Sequence, residues 1–145
     1  MVLDIQKSLL TPIYELLTTD DTLKSEMGGA VRLCLVWAKP DTKFPYLVYR
    51  IDMGILGDWS PESVCTYYLD IWSDSPNADE ILLIRKQLMS LLDGLIFSTE
   101  ETTDCHLWIQ TDAFIPEVEP GIWHYAMQFN LKWLKDAQIG ATLKR

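Results

Sequence analysis

The sequence predicts an α+β domain in which two main helices pack on an antiparallel-rich sheet of about five strands, in the order α-β-β-β-α-β-β. Two stretches repeat apolar residues every three or four positions, and five others alternate apolar with polar residues. The chain has 145 residues, of which 48% are hydrophobic. A chain of that size buries roughly 70% of its unfolded surface. We therefore expect a single domain over residues 1–135, followed by a polar C-terminal tail over residues 136–145.

The first helix is predicted from the spacing of Ile5, Leu9 and Ile13, which places their side chains on one face. Pro12 lies within this pattern. It could instead occupy the first position of a helix capped by Thr11, but the apolar face continues on both sides of it. We therefore expect one bent helix, followed by a short second helical turn.

Three strands are predicted next, over residues 31–37, 46–53 and 64–73, because apolar and polar side chains alternate in each. The loops that join them are too short to hold a crossover helix. Such connections favour an antiparallel meander.

The second main helix is predicted over residues 77–93. Asn77 and Glu80 have the spacing of a capping box, and Gly94 marks the end of the pattern. The helix has one apolar stripe, formed by Ile81, Ile84, Leu88, Leu91, Leu92 and Leu95.

The last two strands are predicted over residues 105–111 and 123–131, separated by a long loop over residues 112–121. The three cysteines lie within strand patterns and form no Cys-x-x-Cys pair: Cys34, Cys65 and Cys105. We expect them to be reduced sheet residues, because a free cysteine packs like a small hydrophobic side chain.

The acidic charge is unevenly distributed. The net charge is −9, and no Lys or Arg occurs between Gln87 and Leu131. Seven acidic residues fall in this base-free window: Asp93, Glu100, Glu101, Asp104, Asp112, Glu117 and Glu119. A surface of this sign repels nucleic-acid phosphate, so a DNA- or RNA-gripping role is disfavoured, and a solvated acidic face is the simplest interpretation.

The sequence predicts no enzyme, no metal site and no cofactor. His106 and His124 could meet across a hairpin and bind a metal, but no third ligand has a suitable spacing, and we interpret them as exposed sheet histidines. The acids of the 112–121 loop lack the regular spacing of a calcium site. No serine or cysteine has the sequence context of a nucleophile, and no apolar run has the length of a membrane span or the pattern of a signal peptide.

An excess of aromatic residues remains after the core positions are assigned. If helices cover one face of the sheet, the other face or its rim could present five of them: Tyr49, Trp59, Tyr68, Trp72 and Trp108. Tyr and Trp are favoured at interfaces because they bury large rigid areas and keep a polar tip. We expect these side chains to form a subunit or partner interface; a second core layer beneath the N-terminal helix is the alternative.

The chain resembles the tail-terminator and tail-completion proteins of long-tailed bacteriophages, including small head-to-tail joining proteins, as far as about Lys135. The order and spacing of the motifs carry the resemblance, since each motif is common by itself. The motifs are Leu9-Leu10, Ile13-Tyr14-Glu15-Leu16-Leu17, Phe44-Pro45-Tyr46-Leu47-Val48-Tyr49, Tyr68-Leu69-Asp70-Ile71-Trp72-Ser73, the helix from Asn77 to Asp93, and Gly121-Ile122-Trp123-His124.

The resemblance implies a non-enzymatic virion protein, made in the cytoplasm of the bacterial host and located at the head-tail junction. Its copies would form a ring, a hexamer in such families, that caps the tail tube and meets the head connector or stopper protein. Ring formation needs contacts between different patches on neighbouring copies. DNA would pass through the ring without specific binding. From the base-free window we hypothesise that six acids face the lumen: Glu100, Glu101, Asp104, Asp112, Glu117 and Glu119.

Two other functions are consistent with the same residues. One is another head-tail connector, or an adaptor of a prophage or contractile injection system, with the same fold. The other is a small ligand-binding domain or enzyme whose pocket lies between sheet and helices, with His106, His124 or Asp70 as polar anchors.

Overall fold

The computed structural model describes residues 5–53, 62–100 and 102–135. These form three helices and one curled, mixed sheet of six strands, in an α+β arrangement. The helices are α1 (Ile5–Thr19), α2 (Asp21–Glu26) and α3 (Asp79–Leu92). The strands are β1 (Leu33–Leu35), β2 (Tyr46–Asp52), β3 (Glu62–Ser73), β4 (Leu95–Phe97), β5 (Thr102–Ile115) and β6 (Trp123–Lys135).

The strands lie in the order β1-β2-β3-β6-β5-β4, so β3 and β6 form the centre of the sheet. The β2–β3, β3–β6, β5–β6 and β4–β5 pairs are antiparallel. Alternate residues of these strands and the apolar stripes of the helices form one buried cluster. The helices therefore pack on the same face of the sheet.

The prediction of an antiparallel meander is wrong at β1, which pairs with β2 in parallel. After Leu35 the chain turns at Val36, which has a φ of 70°, and returns over residues 36–45 to the start of β2. A three-residue strand spans only about 10 Å, so this loop reaches back without a crossover helix.

The predicted strand count of about five is one too low, because β4 was not anticipated. With only three residues, β4 is too short to show an alternating pattern. The boundaries of β5 also differ, since the strand continues through Ile115. Asp112 consequently lies on a strand and not in the predicted 112–121 loop.

The N-terminal helix is continuous through Pro12, which confirms that one helix spans this segment. Leu9, Ile13 and Leu17 are fully buried in the core. The short helix α2 follows, and the Asp20 carboxylate caps it by accepting a 2.8 Å hydrogen bond from the Leu23 amide.

The capping box predicted at the start of α3 is absent. The helix begins after Ala78, and the Asn77 side chain accepts a 2.9 Å hydrogen bond from the Asp79 amide. The Glu80 carboxylate accepts a 2.6 Å hydrogen bond from the buried Ser73 hydroxyl. Glu80 therefore joins the first turn of α3 to the end of β3.

The cysteine prediction agrees with the structure. All three thiols are free; Cys65 and Cys105 are buried, and Cys34 is half-buried on β1. None of the described helices is both long and apolar enough to cross a membrane. Trp59, Glu101 and the predicted tail over residues 136–145 lie outside the described residues.

Candidate functional site

The sheet face opposite the helices, here called the open face, carries side chains from every strand. Because side chains alternate along a strand, the neighbours of the core residues point to this face. The register places Trp72 opposite His124, and Tyr68 opposite Arg50 on one side and Gln128 on the other. Further members of the open face are Tyr46, Val48, Asp70, Ala126, Asn130, His106 and Trp108.

An aromatic row crosses three adjacent strands of the open face. The ring of Trp72 stacks on His124 at a centroid distance of 3.8 Å and an interplanar angle of 14°. On its other side it stacks with Tyr46 at 6.2 Å and 15°. Stacking of this kind contributes about 0.5–1.5 kcal/mol per pair beyond burial, so the row stiffens one end of the sheet.

His124 lies between two carboxylates. Its Nε2 is 3.0 Å from Asp70 Oδ2, and its Nδ1 is 3.1 Å from Glu117 Oε2. A histidine can donate from both ring nitrogens only when it is protonated. Glu117 belongs to the loop after β5, so the imidazolium joins this loop to β3.

The surroundings of His124 favour its charged form. Burial by itself lowers the pKa of His124, but the hydrogen bonds to Asp70 and Glu117 and their charges outweigh burial, so the net pKa is raised. The His124 side chain is 11% exposed, against 32% for Asp70 and 27% for Glu117. The site is thus a small ion cluster at the edge of solvent.

The rest of the open face combines aromatic and polar groups. The Arg50 guanidinium carbon lies 3.5 Å from the centre of the Tyr68 ring, which is a close cation–π contact. On β5, His106 and Trp108 lie beside each other with their ring centroids 5.2 Å apart. Trp72, Tyr68 and Trp108 therefore share one face, as predicted, although β6 separates Trp108 from the other two.

Tyr49 does not join them. Its register partner is Leu69, a fully buried residue, so Tyr49 points to the helix side of the sheet. There its ring lies 6.3 Å from those of Tyr14 and Tyr67. Burial, together with the neighbouring Tyr14 and Cys34, raises the pKa of its hydroxyl. Tyr49 is therefore a half-buried core-rim residue, since odd-numbered positions of β2 face the helices.

The predicted lumen-facing acids occupy different environments. Asp112 lies on the helix side, where its Oδ2 accepts a 2.8 Å hydrogen bond from Nε of Arg85 on α3 and lies 2.8 Å from Nη2 of the same guanidinium. Its carboxylate also accepts a hydrogen bond from the Tyr125 hydroxyl. Burial raises the pKa of Asp112, but the hydrogen bonds from Tyr125 and Arg85 and the charge of Arg85 lower it overall. Asp112 thus forms an ion pair between α3 and the sheet.

The remaining acids are not gathered in one place. Glu100 and Asp104 are exposed at the start of β5, whereas Glu119 is exposed in the loop after its end. β5 lies between these two groups, and a fully extended strand of its length spans about 40 Å. The base-free window is therefore spread over both ends of the sheet and does not form a continuous acidic face.

The suggested pairing of the two histidines is wrong. His106 lies opposite Lys132 on β6, eight positions from His124, which corresponds to about 27 Å along the strand. Within the described residues, no group of three or more His, Cys, Asp or Glu side chains has the arrangement of a metal site.

The anchors of the suggested ligand pocket are also misplaced. Asp70, His106 and His124 lie on the open face and not between sheet and helices. Between α1 and β2 there is an open groove of about 340 Å³, lined by Leu10, Thr11, Tyr14, Glu15 and Tyr49. None of the three polar anchors lines this groove.

A similar fold occurs in a virion. The chain superposes on a chain of the virion of a native gene transfer agent particle with a TM-score of 0.75. The match covers 92% of this chain and 99% of that chain, at 13% sequence identity. No known family model matches the sequence, and no curated protein matches it. At this identity the likeness establishes the fold alone.

The most connected group of the open face was only partly visible in the sequence. His124 and Asp70 stood out as polar residues in apolar strands, but they are separated by 54 positions. Glu117 appeared to be an ordinary loop acid. The signal that could have placed Asp70 near His124 is the alternation of apolar and polar residues in both β3 and β6. If these two strands pair, their polar residues lie on the same face, and the register then decides which of them are neighbours.

Proposed function

We propose that this protein is a structural component of a phage or prophage virion. Its copies form a ring that caps the tail tube and joins it to the head connector; in keeping with the resemblance, the ring has six copies. The observation that carries the proposal is the fold, which is shared over 92% of the chain with a gene transfer agent virion chain. The order of the sequence motifs supports the same assignment.

The chemistry of the described residues is consistent with a role in assembly. The ordered polar groups are engaged in joining elements of the fold: His124 joins β3 to the loop after β5, and Arg85 joins α3 to β5. The open face presents aromatic and amide side chains, which are the residue types found at protein interfaces. We propose that Tyr68, Trp72 and Trp108 contact a neighbouring copy or a partner in the virion.

The acids at the two ends of the sheet are assigned separately. Glu100, Asp104 and Glu119 are exposed and remain candidates for a lumen surface along which DNA passes without specific binding. Asp112 and Glu117 are held by Arg85 and His124, so in this proposal they stabilise the subunit. The domain comprises residues 1–135, with residues 136–145 as a tail.

Electron microscopy of particles made with and without this protein tests the proposal. We expect rings at the ends of tail tubes when the protein is present, and tubes of uncontrolled length with unjoined heads when it is absent. Tubes of normal length that fail only to join heads would instead indicate an adjacent connector. Normal, fully joined particles without the protein would refute both roles.

The open-face contact has its own test. Trp108→Ala should reduce incorporation of the protein into particles without lowering its thermal stability substantially, because Trp108 is only half-buried on a face without helices. Leu83→Ala, a change at an exposed position of α3, provides the control. Equal incorporation of the two variants would exclude Trp108 from the contact.

A further inference from the structure

The two edges of the sheet carry exposed apolar side chains. Beside β1, Leu35, Val36 and Trp37 are 52%, 55% and 77% exposed. At the opposite edge, Ile96 of β4 is 67% exposed. Both edge strands have three residues and lack a second partner strand within the described part of the chain. An open strand edge with exposed apolar groups is a surface prone to association with another chain.

Trp37 is presented by an unusual turn. The Trp37 amide donates a 2.8 Å hydrogen bond to the Leu35 carbonyl, while the Val36 amide donates a 2.8 Å hydrogen bond to the Tyr49 carbonyl. Val36 lies between them at a φ of 70°. This positive-φ γ-turn is strained for a β-branched residue. Because the turn leaves Trp37 in solvent, burial within the subunit does not compensate the strain, which points to a contact made outside the subunit.

The loop that follows Trp37 is basic. Lys39 and Lys43 are exposed on either side of Asp41. Beneath the loop, the Arg32 guanidinium donates hydrogen bonds to the carbonyls of Lys43 and Met27, among others. Carbonyl acceptors satisfy its donors without cancelling its charge. The Trp37 edge, defined as residues 35–43 together with Arg32, therefore carries a net positive charge.

The opposite edge is acidic. Asp93, Glu100 and Asp104 are exposed around Ile96, within the stretch that contains no Lys or Arg. The Asp93 carboxylate also accepts a 2.9 Å hydrogen bond from the Ile109 amide, which holds it at the start of β4. The Ile96 edge is defined as the described residues 93–100 and 102–104. Like the Trp37 edge it has an apolar centre, but its charge is of the opposite sign.

We propose that the Trp37 edge of one copy docks on the Ile96 edge of the next copy. This inference rests on the proposed ring and names its subunit contact. Two Trp37 edges would bring like charges together, and so would two Ile96 edges, so the contact joins different patches. The two patches lie at opposite ends of the strand order, about 24 Å apart across the sheet. A head-to-tail contact of this kind closes into a ring when the rotation between copies permits.

Charge reversal with rescue tests the contact in solution. One variant carries Lys39→Glu and Lys43→Glu; the other carries Glu100→Lys, Glu101→Lys and Asp104→Lys, which changes the net charge of residues 93–104 from −4 to +2. The parent protein should sediment as an oligomer at low salt. Each variant alone should not, because its two edges now have the same sign. Mixed in equal amounts, the variants should recover it, since every contact in an alternating ring is again between opposite charges. Loss without recovery would overturn the proposal.

The apolar part of the contact is tested with Trp37→Ala and a matched control, Val118→Ala, which changes a fully exposed side chain in a different loop. Both variants should keep the melting temperature of the parent protein. Only Trp37→Ala should lose the oligomer. If both variants associate like the parent protein, Trp37 is not at the contact.

Photo-crosslinking separates this proposal from the proposed function. A benzoylphenylalanine at position 37, introduced into particles that contain a mixture of light and heavy-isotope copies, should give intermolecular crosslinks to the peptide that contains Ile96. Rings at tube ends with crosslinks only to other peptides would overturn the contact and leave the ring role intact. Crosslinks and rescue without any effect on tails would support the contact and refute the tail role. A chain that stays monomeric and gives no crosslink to a second copy would overturn the contact.

Discussion

Replacing His124 with phenylalanine tests whether the ion cluster on the open face stabilises the subunit. Phenylalanine keeps a flat ring that can stack on Trp72, now 3.8 Å from the imidazole. It removes both hydrogen bonds, to Asp70 at 3.0 Å and to Glu117 at 3.1 Å. The substitution therefore isolates the polar interactions of His124 from its packing.

The expected magnitude follows from the exposure of the partners. A hydrogen bond to a charged group contributes about 1.5–3 kcal/mol when it is well shielded, and an exposed ion pair about 0.2–1 kcal/mol. Asp70 and Glu117 are 32% and 27% exposed, so water can partly replace the hydrogen bond that each carboxylate loses. We expect a loss of about 1–2 kcal/mol, which corresponds to a decrease in Tm of about 2–8 °C for a domain of this size.

The loss should depend on pH with a definite sign. The folded-state pKa of His124 is raised, so the folded protein binds its proton more tightly than the unfolded chain. This contribution is complete below the unfolded pKa of about 6.5 and is lost as the pH rises through the folded value. Thermal unfolding followed by circular dichroism should thus show a larger difference between parent and variant at about pH 5.5 than at about pH 9.

His106→Phe serves as the control, because His106 is an exposed histidine of the same face that packs beside Trp108. Its effect on Tm should be small. If His124→Phe destabilises the protein equally at both pH values, or more strongly as the pH rises, the protonated imidazole does not stabilise the fold.

Three further predictions concern other parts of the fold. Asp112→Asn should lower the free energy of unfolding by about 1–2 kcal/mol at neutral pH, measured by urea unfolding. Because the pKa of Asp112 is lowered in the fold, this difference should disappear as the pH falls below that pKa. A difference that stays constant with pH would argue against the ion pair with Arg85. In the native protein a thiol reagent should modify Cys34 and spare Cys65, whose burial raises its pKa to about 12, and rapid modification in a Cys34→Ser variant would contradict this. Gly94→Ala should lower the free energy of unfolding by about 1–2 kcal/mol, because Gly94 has a φ of 85°, which disfavours a residue with a Cβ atom. The cause is the backbone conformation and not a clash, since an added methyl group would meet no atom within 4 Å. An unchanged urea midpoint would show that the turn relaxes.

The spacing of apolar residues predicted those helices and strands that are long enough to show a repeat. The apolar repeat of α1 continued through Pro12, and the helix is continuous there. The alternation over residues 64–73 and 123–131 predicted β3 and β6, which form the centre of the sheet. Three-residue elements do not carry such a signal, which is why β4 was missed.

The candidate site was predicted less well, because its contacts join distant residues. Alternation places Trp72 and Tyr68 on one face, but the face of Tyr49 depends on its pairing with Leu69. The pairing of His106 with His124 failed for the same reason: each histidine has the predicted strand position, and the register separates them.

Four features could be predicted from local sequence patterns, since each is a property of neighbouring residues: the α+β composition, the helix stripes, the free cysteines and the base-free acidic window. Three other features became known from the three-dimensional fold: the direction of β1, the partners of His124 and the separation of the acids to the two ends of the sheet. Those features depend on which strands become neighbours and in what register. A strand pattern with a period of two specifies the face of a residue and leaves its partner across the sheet undetermined.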